Sequence, residues 1–182
     1  MRTERLLSVA STALVVGALL GMAGSFAPSA ELRGLFWGVD GTSLVVGTAL
    51  LAVHHSRRGN DLLAAAFLVY MVGETLMVLG ASMELTASAP LLAAGTALWS
   101  ASLALASASD QMPRFVRVTG AVGSLLFGIT ALQNFGGGHL TPLSRPLPFF
   151  GFPFLAATLI GWAWVHARLS QGQRYAYGGT NA

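Results

Sequence analysis

The chain contains no cysteine and no lysine, and charge is scarce throughout it. Without cysteine there is no disulfide, no thiol redox relay and no thiolate metal site. All ten basic residues are arginine, opposed by seven acids, and charged residues make up 9 % of the 182 positions. An ordinary soluble domain carries roughly a quarter charged residues, and a disordered chain needs high charge with low hydropathy. Neither class fits. Apolar residues fill 54 % of the chain, and the mean hydropathy is +0.65. The class that remains is a polytopic membrane protein. The pI near 10.2 reflects a small excess of arginine and not a basic face, so no nucleic-acid partner is expected.

Catalytic signatures are missing too. There is no His-Glu-x-x-His, no phosphate loop and no arginine-rich voltage sensor; Gly41-Thr42-Ser43-Leu44 lacks the second glycine of a nucleophile elbow. The histidines stand at 54, 55, 139 and 166, near the ends of apolar runs, so a mid-membrane pair of haem ligands is not expected. No cofactor, metal or catalytic residue is assigned, and the reading leans away from an enzyme. No family resemblance emerges from the residues.

What is present is six apolar runs, about 6–24, 35–54, 62–81, 89–108, 115–132 and 149–166. Each is long enough to cross a hydrocarbon layer of roughly 30 Å at about 1.5 Å per helical residue. None alternates with period two, which excludes a β-barrel. The expected fold is therefore all-α, a single six-helix transmembrane bundle over residues 1–170 with a flexible polar tail at 171–182. The first run resembles a signal peptide, but Pro28 spoils the small-residue stretch Ala27–Ala30, and a retained helix is expected.

Arginine placement sets the direction. Arg2, Arg5, Arg57, Arg58, Arg114, Arg117, Arg168 and Arg174 fall on one side of six spans, and only Arg33 and Arg145 on the other. By the positive-inside rule both termini are cytoplasmic, in a multi-pass protein of the inner (plasma) membrane. The longest connection, 133–148, then lies outside; it is rich in glycine and proline.

Glu74 is the strongest candidate for function. It is thirteenth in a twenty-residue run, near the bilayer midplane. An ionisable group there costs at least about 2.5 kcal/mol on insertion, so it must face other helices or water. Tyr70 lies one turn earlier on the same face. On the second run Asp40, Ser43, Gly47 and His54 form a small and polar stripe, with His54 expected to reach lipid headgroups. The fourth run carries Thr96, Ser100 and Ser107, hydroxyls that in transmembrane helices usually bond their own preceding turn. The candidate binding residues for a solute or ion are thus Glu74, Asp40, Tyr70, Ser43, Thr96 and Ser100. Gly17-x-x-x-Gly21 marks a close-packing face. Trp37, Trp162 and Trp164 fit interfacial belts, whereas Trp99 is mid-run and expected between helices. Two functions fit these features: binding or moving a small solute or ion, with Glu74 central, or service as a non-catalytic accessory subunit. The expected partners are the lipid bilayer and a membrane protein or a second copy of the chain.

Overall fold

The computed structural model describes residues 3–178. Arg2, counted above, and the end of the expected tail, 179–182, lie outside the described residues. Six α-helices follow one another: α1 (Thr3–Ser25), α2 (Ala30–Ser56), α3 (Asp61–Ala81), α4 (Ala89–Ala108), α5 (Arg114–Phe135) and α6 (Phe152–Gly178). A single 3-10 turn, Phe149–Gly151, leads into α6, and no strand occurs among the described residues. All six helices hold a segment long and apolar enough to cross a membrane.

The boundaries depart from the apolar runs where local chemistry extends a helix. α2 begins five residues before its run because Ser29 caps it, accepting a hydrogen bond from the Leu32 N–H at 3.2 Å. That cap draws the charged turn holding Glu31 and Arg33 into the helix. α3 starts from a tight turn in which Gly59 takes φ +68°, followed by Asn60 as cap. α6 continues past residue 171 to Gly178. Polar residues end an apolar run without ending a helix.

Each helix packs on its neighbours in chain order, and α6 closes against α1, so the six form a ring. The α5–α6 seam is the least intimate of the six. Glycines set the α1–α2 approach. Gly17 faces the Leu44 side chain, and a Cβ built on Gly47 would lie 3.2 Å from both the Ala10 carbonyl oxygen and the Ala13 Cβ.

Aromatic side chains fill the middle of the ring. Phe67, Tyr70, Phe127 and Trp162 are fully buried, with Trp99 nearly so. Trp99 stacks on Tyr70 at 5.9 Å and meets Phe127 edge-on at 5.2 Å, while Phe67 meets Trp162 at 5.0 Å. These rings link α3 to α6 although their backbones do not touch. Trp162 is thus a core residue and not the interfacial one expected; Trp164, two positions on, does face outward, with the Arg168 guanidinium 4.0 Å above its ring.

The outer surface is apolar: Leu19, Leu35, Leu68, Leu79, Leu125 and Leu132 are all exposed. Hydroxyls turn back on their own helices, as Thr48 to Leu44, Thr96 to Leu92 and Thr130 to Leu126. Others join helices. Ser102 donates to the Ala66 carbonyl at 2.8 Å, and Ser100 and Ser124 each donate to the other's carbonyl at 2.8 Å. This polarity suits a lipid exterior and would be costly in water.

Candidate functional site

One end of the ring is hollow. A cavity of about 70 Å³ lies between α1, α2, α3, α4 and α6, with Leu85, Ser88 and Pro142 of the loops at that end also lining it. Asp40 of α2 and Glu74 of α3 both line it, and no arginine or histidine does. Its other walls are apolar, with Trp37, Leu92, Trp99 and Leu155 among them.

Glycines on adjacent helices leave room for both carboxyl groups. A Cβ on Gly21 of α1 would lie 2.7 Å from Asp40 Oδ2, and one on Gly41 of α2 would lie 3.1 Å from Glu74 Oε1 while overlapping Val78. Any larger residue there would displace the acid or the helix. Glu74 is 3 % exposed, and Tyr70, one turn below it, is fully buried.

The polar atoms gathered here are not paired with one another. Tyr70 and Trp99 turn their polar ends toward the Glu74 carboxyl. Even so, Tyr70 Oη, Trp99 Nε1, Glu74 Oε2 and Asp40 Oδ1 are all buried and without a hydrogen-bond partner. Each such group forfeits about 1–3 kcal/mol relative to a satisfied one. Asp40, Glu74 and Trp99 line the cavity, with Tyr70 beside Glu74 and outside the lining; the unpartnered carboxyl oxygens are what a bound molecule or ion would complete.

No protein-family model matches the chain, and no curated protein or solved structure matches it either. The site therefore rests on its own geometry.

Of the six residues expected to bind, the fold brings Glu74, Asp40 and Tyr70 together. Of these only Glu74 and Asp40 line the cavity; Tyr70 lies beside Glu74 outside the lining, and the other three are elsewhere. Ser43 is half-buried in a shallow outward groove with Gly38, Val39 and Thr42. The inward stripe of α2 runs instead through Asp40, Leu44, Gly47 and Leu51, with Ser43 turned off its edge. Thr96 spends its hydroxyl on the Leu92 carbonyl at 2.6 Å. Ser100 is held in the clasp with Ser124. What residue-by-residue reading missed is Trp37, Trp99 as a wall, and the seats at Gly21 and Gly41. Their one signal was the adjacency of Asp40 and Gly41 and the Gly17–Gly21 spacing.

The opposite end of the ring holds a second polar cluster, which is closed. His55 Nε2 and His166 Nε2 stand 2.9 Å apart, joining α2 to α6, and His166 Nδ1 lies 2.6 Å from the Trp162 carbonyl oxygen. A carbonyl only accepts, so His166 Nδ1 carries the proton. In the neutral ring its Nε2 then accepts from the His55 Nε2–H. His54 sits edge-on to His55 at 5.1 Å. His54 is also buried, at 4 % exposure, and does not reach out toward headgroups as expected. The reason is that α2 runs on to Ser56, so residues 54 and 55 still have helical neighbours, and His55 stacks on Phe67 at 5.5 Å. Among the described residues no three His, Asp or Glu side chains are placed to hold a metal ion.

Proposed function

We propose that the chain is a multi-pass integral membrane protein that binds or moves a small solute or ion in this cavity. Glu74 is its central polar group and Asp40 stands beside it. One observation carries the reading: two carboxyl groups from adjacent helices line the same partly open cavity, each with a buried oxygen that accepts no well-formed hydrogen bond. A carboxyl buried only for packing would be expected to have a partner on a neighbouring helix.

In this reading the arginine-bearing end, with Arg57, Arg58, Arg114 and Arg117, is cytoplasmic, both termini lie there, and the cavity is in the outer half of the bundle. The membrane is the cell's inner (plasma) membrane. Because the chain has no cysteine, single cysteines at Thr86 or His139 should react with an impermeant thiol reagent applied outside, and one at Ser56 should not. The reverse pattern reverses the orientation.

Occupancy is testable through the two tryptophans in the cavity wall. Intrinsic fluorescence of the protein in nanodiscs is titrated with sodium, potassium, methylammonium, ethanol and urea. At least one probe should give a saturable change in the native protein that disappears in Glu74→Gln, a variant that keeps shape and most hydrogen bonding. A saturable change of the same size and midpoint in Glu74→Gln, or none with any probe, overturns the proposal.

A further inference from the structure

Resting on that reading of the cavity, we infer that its ligand is a short alkylammonium cation: a protonated primary amine with a few carbon atoms. Two acids and no basic side chain line the space, which selects positive charge. Glu84, on the exposed loop next to the lining residue Leu85, adds to this. Its carboxylate accepts from the Thr86 hydroxyl and the Thr86 and Ala87 N–H groups, which holds its pKa below the usual value and keeps it ionised. Arg33 is the nearest counterweight. Its guanidinium lies 5.9 Å from the Trp37 ring and outside the cavity lining.

The donor set argues against a bare metal ion. Hard cations such as calcium gather six or more oxygens, and here two carboxyl groups face mostly carbon. No third acid or histidine stands with them among the described residues. An ammonium group makes the opposite demand. Its N–H bonds need a few acceptors, which Asp40 Oδ1 and Glu74 Oε2 supply, and its alkyl chain needs apolar walls, which Leu92 and Leu155 supply. Trp37 and Trp99 extend the apolar wall. A cavity of about 70 Å³ has room for a few waters' worth of ligand, which limits the alkyl chain to a short one.

The test compares three probes on the intact protein at fixed pH: ethylammonium chloride, sodium chloride and ethanol, read by tryptophan fluorescence and by calorimetry. Ethylammonium should bind saturably and at least tenfold more tightly than sodium or ethanol. Glu74→Gln and Asp40→Asn should each weaken it at least tenfold while keeping the native thermal midpoint. If sodium or ethanol binds as tightly as ethylammonium in the native protein, the alkylammonium inference fails while the cavity remains a site. That comparison needs no variant to fold. An ethylammonium response that both variants leave unchanged places the amine elsewhere and also overturns the inference. Silence from all three probes overturns it too, and counts against the cavity as a site.

Discussion

The two ends of the ring bury polar groups in opposite ways. At the histidine end the ionisable groups are tied internally: His55 bonds His166, and His166 bonds the Trp162 carbonyl, although Trp162 Nε1 has no partner. At the acid end polar atoms of Asp40, Glu74 and Trp99, which line the cavity, and of Tyr70 beside them stay unpartnered. Burial of an ionisable group is thus not in itself the mark of a site. The distinguishing feature is whether the fold satisfies the group or leaves it for something else.

That contrast predicts a hierarchy of effects. The largest belongs to His166→Ala, which removes the α2–α6 bond, leaves His55 Nε2 unpaired and opens a void where exposure is 0 %. A loss of about 2–4 kcal/mol is expected, measured by reversible unfolding in detergent. Next comes Gly47→Leu on the α1–α2 seam beneath the cavity. Overpacking against Ala10 and Ala13 should cost about 1–3 kcal/mol, while Val46→Leu on the exposed face of the same helix stays within about 0.5 kcal/mol. Smaller than the His166 and Gly47 effects is that of Glu74→Gln, within about 1 kcal/mol, because no hydrogen bond to its Oε2 is lost. A Glu74→Gln variant as unstable as His166→Ala would erase the distinction between the two ends.

The parts legible in the sequence are those that depend on one helix at a time. Six apolar runs needed only length and hydropathy. Glu74 needed only its depth in a run, since a midplane acid must turn inward wherever its neighbours lie. The self-bonded threonines needed only their own preceding turn. Features that depend on two helices were not legible. Ser43 and Gly41 are two positions apart, and only the seating of α2 against α1 and α3 decides which of them meets an acid. His55 and His166 are 111 positions apart, with no spacing rule to join them. Trp162 reads as interfacial by its place in the run, yet the cross-ring contacts with Phe67 and Tyr70 put it in the core. The three candidate hydroxyls read alike as polar; their partners, one intrahelical and one a clasp to α5, separate two of them from the cavity.

The order in which the ring closes has a consequence for biosynthesis. Neighbours in the ring are neighbours in the chain, so helices α1 to α5 can pair one after another as they leave the ribosome. The cavity cannot form on that schedule. Asp40 and Glu74 arrive early, but Phe152, Leu155 and Leu159, which wall the space beside them, belong to α6. Until that last helix docks on α1, both acids stand in an unfinished groove. The docking of α6 is therefore the single late event that completes the cavity.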